Sequence, residues 1–449
     1  MSFQTSTAKV DITPAPGANP YMAGYGTQGA ARVVERDTPF AQPLYARCVI
    51  LWDDGYPNAI VSLDVLGIPR GVHQAVRPRL VQLAGWASSD IVLVATHTHN
   101  GPVIGDILNP YISYGISSLD LIESYTKWLE DRIVAVVTNA LAATRSSVNL
   151  EYRLSSANFS FNRAGKPTVE TAVPVLTARR GNGTLAAVLF SYGCHPVSAG
   201  WQEQWDGDWP AEACRVVESQ TGAFAMFIPG PAGDQDPTGV RSWALRTSHG
   251  QALGTAVANS ATAAGRVLPG PLYSQLREVS LPLDITVTSA NLAAVRSAFA
   301  SRMMNPSGQP AWYQRHAASM ITRIDSGTYA TSVPNPSQVW KIGGNPTLKM
   351  AFVGGELVSG YAAYFRARHG GASELYIGGY ANETNCYVPA NDFLPPLAPS
   401  SGSYEGGWDP DSPGIAGGSM TVYPQIAHFR AGTSGVESAV INALAVQLG

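Results

Sequence analysis

The sequence predicts a mixed α/β (α+β) fold, layered mixed β-sheets flanked by helices. Apolar runs at 44–52, 59–66 and 91–95 are short and bounded by turn residues, as buried strands are. A segment whose apolar residues recur at helical spacing, 72–83, separates the second run from the third. The resulting β-β-α-β order is that of layered α/β structure.

The elements follow in chain order. Residues 9–12 form an opening strand closed by Pro14, and Met22-Ala23-Gly24-Tyr25-Gly26 presents a Gly-flanked aromatic that suits a loop beside a site. Pro78 should kink or restart the helix at 72–83. Residues 103–117 read as a loop, and Ser118 can cap a helix at 119–144 with Leu121, Tyr125, Leu129, Ile133, Val136 and Ala140 as its apolar stripe. A strand at 149–161 precedes a hairpin of 173–179 and 185–193 around Gly181-Asn182-Gly183. Asp208 reads as a helix N-cap, with Pro210 in the first turn and Glu212 early in the helix. Further expectations are a strand at 223–228, helices at 251–264 and near 289–302, a strand at 350–353 followed at once by a helix at 357–368, a strand at 375–378 and a closing helix at 436–448. With no repeat and no clean linker, residues 1–449 read as one catalytic-size domain.

Charge excludes some partners. The 449 residues carry a net charge of -3 and no Lys/Arg run, so nucleic acid and stable membrane anchoring are not expected. Oligomerisation is left open. Residues 1–10 have no hydrophobic leader, which reads as cytoplasmic, or as secreted if a leader has been removed. Cys48, Cys194, Cys214 and Cys386 show no C-x-x-C spacing, so neither a disulfide framework nor a zinc ribbon is indicated. The sequons at Asn158, Asn182 and Asn382 are read as chance.

Chemistry gathers where strands end. The 91–95 run leads into Thr96-His97-Thr98-His99-Asn100-Gly101-Pro102. In an extended chain residues two apart share a side, so His97 and His99 are expected to project together, as metal ligands or as rim histidines. The hairpin delivers Cys194-His195-Pro196, with Trp201, Trp205 and Trp209 just beyond as pocket walls or ordinary core. The strand at 223–228 feeds Pro229-Gly230-Pro231-Ala232-Gly233-Asp234-Gln235-Asp236-Pro237, a shaped loop or a plain Asx turn. Gly354-Gly355-Glu356 puts a carboxylate at a strand end.

Taken in order, these motifs resemble the catalytic N-terminal domain of the neutral/alkaline (non-lysosomal) ceramidases. The resemblance rests on 8–14, 22–26, 95–102, Asn162-Arg163, His195-Pro196 with Gly207-Asp208, 230–237, 354–356, Tyr387-Val388-Pro389 and Tyr404-Glu405-Gly406-Gly407. It implies one zinc ion held by His97, His195, Glu356 and Tyr387, with His99, Arg163 and Tyr404 contacting the substrate carbonyl or its oxyanion. The implied activity is cleavage of a linear amide (N-acyl) bond in a small or lipid-like substrate through a zinc-activated water.

Two departures stand out. The family's Gly-Asp-x-Ser-Pro loop here reads Gly233-Asp234-Gln235-Asp236-Pro237, so Asp236 takes the place of a serine and is a candidate base for the attacking water. The chain also ends near the expected end of the catalytic domain, before the family's immunoglobulin-like domain, which makes amide hydrolysis a firmer expectation than action on ceramide. A zinc esterase or lactonase on the same scaffold, and a non-catalytic metal-containing binding protein, are the competing readings. An eight-fold β/α barrel also begins on His-x-His, but the irregular strand spacing disfavours it.

Overall fold

The computed structural model describes residues 3–25, 31–34, 42–117, 119–304, 310–408 and 425–449. Ser118 and Gly26 therefore lie outside the described residues.

Three strand–helix–strand crossovers set the architecture. After β1 (Phe3–Asp11), strands β2 (Tyr45–Asp53) and β3 (Tyr56–Leu63) lead through α1 (Arg70–Ala84) to β4 (Ile91–Ala95). Helix α2 (Asp120–Ala142) leads to β5 (Ser146–Ser156), β6 (Ala172–Arg180) and β7 (Leu185–Tyr192). Then α3 (Asp208–Thr221) crosses to β8 (Phe224–Pro229), and α4 (Trp243–Thr262) follows with the short β9 (Arg266–Leu268). The nine strands form one sheet in the order β8-β7-β6-β5-β1-β2-β3-β4, with β9 added to β5. Only β3–β4 and β7–β8 pair parallel in it, each pair being spatial neighbours joined by a helical crossover.

A second, four-stranded sheet contains β10 (Leu272–Pro282), β11 (Ser332–Ile342), β12 (Leu348–Val353) and β13 (Leu375–Gly378) in that order. Strands β12 and β13 are again parallel, around the short α7 (Gly360–Arg366). Between β10 and β11 lie α5 (Ser289–Met304) and α6 (Ala311–Ser326), and α8 (Val436–Leu448) ends the chain.

Alternating side chains make four layers. In β4, Ile91, Leu93 and Ala95 face α1 and α2, while Val92 and Val94 face the second sheet. That sheet sends Leu348, Met350 and Phe352 back toward the first, and Ala351 and Val353 toward α7 and α8. Helices, sheet, sheet and helices thus stack in sequence. The inner strands are buried on both faces, which is why they read as unbroken apolar runs.

Several elements differ from expectation. Helix α1 runs through Pro78, its stripe of Val72, Val76 and Leu80 buried in the core despite the missing amide bond. Helix α4 begins at Trp243, eight residues before the expected 251, capped by Ser242, whose hydroxyl accepts from the Leu245 N–H. Its Gly250 and Gly254 sit where a Cβ would come within 2.4 Å of Glu212 and 2.6 Å of Val216. These glycines weaken the helical signal but allow α3 and α4 to meet closely. The helix α6 was not expected at all. The expected helix at 357–368 starts only at Gly360, because Glu356–Leu357 first pair with Tyr387–Val388. Asp208 does not cap α3: Gly207 stands at that position, and the Asp208 carboxylate accepts the N–H groups of Ser198, Ala199 and Trp209. Trp209 and Trp205 are core residues, and Trp201 is exposed. Asn382 is fully buried and its Oδ1 accepts from Arg77 Nη2 and the Leu93 N–H, so its sequon sits in the interior. All four cysteines are buried and unpaired. No helix among the described residues is long and apolar enough to cross a membrane.

Candidate metal centre

The site forms beyond the carboxyl ends of β4, β7 and β12, where each parallel pair opens. Strand β4 ends at Ala95, so His97 and His99 are not on a strand. His97 has a left-handed backbone (φ 68°) and donates its N–H to the Val65 carbonyl. This bend, rather than strand alternation, brings the two rings to 4.9 Å. His195 follows β7 and is fixed by its own N–H on the Gln235 carbonyl.

Second partners orient two of the imidazoles. His97 Nδ1 lies 2.6 Å from the Leu66 carbonyl oxygen, and His195 Nδ1 lies 2.6 Å from that of Ala232. A carbonyl only accepts, so each Nδ1 carries the hydrogen and each Nε2 presents a lone pair. Those two Nε2 atoms lie 3.2 Å and 3.1 Å from a single Glu356 carboxylate oxygen. His99 Nε2 is 3.2 Å from His97 Nε2, and the ligand atoms of His97, His99 and His195 all fall within 4.8 Å of one another. His195 Nε2 is buried with no hydrogen-bond partner among the described residues. Converging lone pairs and a carboxylate, with no proton donor between them, match the nitrogen and oxygen donor set that holds a divalent metal. Burial, aided by the neighbouring histidines, drives His99 well below an ordinary histidine.

Tyr387 pairs backbone-to-backbone with Glu356, and its hydroxyl accepts a hydrogen bond from Arg163 Nη2 at 3.0 Å. Burial, and then the Glu356 charge, keep this phenol well above its ordinary pKa. The Arg163 guanidinium stands over the rings of Tyr387 and Tyr404. It also pairs with Glu405 at 2.8 Å and Asp236 at 3.2 Å, and donates to the Gly233 carbonyl. Asp236 is shared with Arg241 at 2.6 Å. Its carboxyl faces the Nδ1 edge of His195 at 4.0 Å, away from the Nε2 that meets Glu356. Burial would raise Asp236, but His195, Arg163 and Arg241 bring it below the usual carboxylate value. A cavity of about 440 Å³ opens here, lined by Arg163, Lys166, Phe393, Pro399, Tyr404 and Glu405.

The structure thus gathers His97, His99, His195 and Glu356 at one point, with Tyr387, Arg163, Asp236 and Tyr404 beside it. Sequence reasoning missed Tyr380, whose hydroxyl lies 3.4 Å from the same Glu356 oxygen and whose ring packs 4.4 Å from His97. It also missed Arg241 and Arg32. Nothing in a lone Tyr or Arg marks it in advance. Asp234, buried, receives Asn162 Nδ2 and the Ser359 N–H and so braces the 230–237 loop against α7.

Fold and site together define a layered α/β protein with a buried cluster of His97, His99 and His195 whose geometry is compatible with a metal ion. Among solved structures the chain is similar to neutral ceramidase from Pseudomonas aeruginosa, with TM-score 0.63 and 19% identity over 87% of this chain and 69% of that one. It is similar also to a ceramidase complexed with C2, with TM-score 0.65 and 18% identity over 91% of this chain and 73% of that one. The fold is therefore the neutral-ceramidase fold. No family model and no curated protein sequence matches the chain.

Proposed function

We propose that this chain hydrolyses amide (N-acyl) bonds at a single zinc ion held by His97, His195, Glu356 and Tyr387. The observation that carries the reading is the one Glu356 oxygen facing two Nε2 atoms whose rings are locked by carbonyls. A zinc ion bound there supplies Lewis acidity toward a carbonyl and toward water.

The remaining steps belong to the chain. Tyr404, a phenol that keeps its proton at neutral pH, serves as donor to the developing oxyanion. Arg163, fixed by Glu405, Asp236 and the Gly233 carbonyl, orients the carbonyl from the same side. Asp236 is committed to two guanidiniums, so we assign it positioning of Arg163 rather than the base role expected from sequence. His99 Nε2, at the edge of the cluster, takes the proton of the attacking water and returns it to the leaving nitrogen. The cavity beside Tyr404 receives part of a lipid-like or small amide substrate.

The test is hydrolysis of a matched N-acyl amide and O-acyl ester by zinc-loaded and metal-stripped protein. Zinc-dependent release of amine supports the reading. Cleavage of the ester alone replaces it with an esterase, and tight binding without turnover replaces it with a binding protein.

A further inference from the structure

One flank of the centre carries buried donor atoms that meet no acceptor among the described residues, beside two arginines. Tyr25 packs its ring 5.1 Å from His99, and Arg32 lies 4.9 Å over the Tyr25 ring. The approach is close because Gly24 has φ 101°, with its Cα so near His99 that a Cβ would come within 2.7 Å. The Tyr25 hydroxyl, His99 Nδ1 and Arg32 Nε are each buried with no hydrogen-bond partner among the described residues. Such orphaned donors are rare and call for an acceptor.

Charge points the same way. Arg32 is 3% exposed, yet it donates to Asn100 Oδ1 and to the carbonyls of Gln202, Ala23 and His99, oxygens that carry no formal charge. The exposed Glu203 acts on it only at a distance, and burial lowers its pKa to about 10. Arg241, part-exposed, is felt electrostatically by both Tyr25 and His99. Its partner Asp236 is shared with Arg163. Asp208, also felt by Tyr25, already accepts three backbone N–H groups.

We propose that the Tyr25–Arg32–Arg241 flank receives a carboxylate, so that the substrate is an N-acyl amino acid rather than a neutral amide. The inference rests on the amide-hydrolase reading. A carboxylate on the amine side lies two bonds from the scissile nitrogen, which suits a binding flank built against His99. By accepting from His99 Nδ1, it would also leave Nε2 free for proton transfer. The reaction consumes one water: the C–N bond breaks, the acyl carbon leaves as a carboxylate, and the nitrogen leaves protonated on the amino acid.

The test uses zinc-loaded protein with N-decanoylglycine and its neutral counterpart N-decanoylglycinamide. Calorimetric titration measures binding, and amine release is followed in parallel. The acid should bind at least about tenfold more tightly than the amide. Tyr25→Phe and Arg241→Gln should each shrink that preference to within about threefold. Equal affinity in the unmodified protein overturns the proposal, as does a preference that survives both substitutions, since the carboxylate would then sit elsewhere. Preferential binding of the acid without amine release sustains the carboxylate-receiving flank and sinks the hydrolase reading, and with it the claim that the acid is a substrate. Amine release from both compounds at equal affinity does the reverse.

Discussion

His195 Nε2 and a Glu356 carboxylate oxygen lie 3.1 Å apart, and both residues are 1% exposed. They come from opposite sheets, one following β7 and the other β12. Their meeting is what the stacked sheets accomplish: two strand ends are held at one point by cores that neither strand could form alone.

Glu356→Gln keeps the shape and removes the charge. Zinc affinity should fall more than about 100-fold, and amide hydrolysis should fall with it. Equilibrium dialysis of zinc, beside an activity assay, measures both.

Asp236→Asn separates a base from a positioning group. Loss of a general base costs about 10²–10⁴-fold and removes the limb of the pH–rate profile that reports it. As a partner of Arg163 and Arg241, Asp236 should instead give about a tenfold loss of kcat/KM with the profile unshifted. A pH–rate series on both proteins reads the difference.

Gly24→Ala forces a Cβ to within 2.7 Å of His99 at a backbone φ of 101°. Strain of this kind costs about 1–3 kcal/mol. We expect a lower Tm and weaker zinc binding together, because the displaced residue carries an imidazole of the cluster. Calorimetric melting with and without zinc tests the coupling.

Glu383 is 2% exposed and meets His73 at 2.7 Å, Arg70 at 3.1 Å and Asn385 at 2.8 Å. Burial would raise its carboxyl, but the His73 contact and these neighbours bring it below the ordinary carboxylate value. A depressed folded pKa contributes stability that is present above the unfolded value and lost as pH falls through the folded one. Burial likewise lowers His73, which then disfavours the folded state as acid protonates it. Glu383→Gln should therefore cost about 1–3 kcal/mol at neutral pH. That deficit should shrink below about pH 4.5, as urea unfolding at several pH values would reveal.

The buried strands were legible because burial on both faces erases alternation, leaving β2, β3 and β4 as plain apolar runs. The strand ends carrying His97, His195 and Glu356 were legible for the same reason, since each run stops on a residue that does not belong in a core. What was hidden depends on distant contacts. The left-handed turn at His97 needs the Val65 carbonyl, and the late start of α7 needs the Glu356–Tyr387 pairing. The glycines in α4 masked its first half because their purpose is the contact with α3. The commitment of Asp236 to Arg163 and Arg241 is likewise set by the fold, not by its loop.

The most direct measurement is anomalous scattering at the zinc edge from crystals grown with zinc. We predict a single peak about 2.0–2.2 Å from His97 Nε2, His195 Nε2 and a Glu356 oxygen. A zinc-saturated crystal with no peak between these three side chains, or with the ion held elsewhere, would contradict the account.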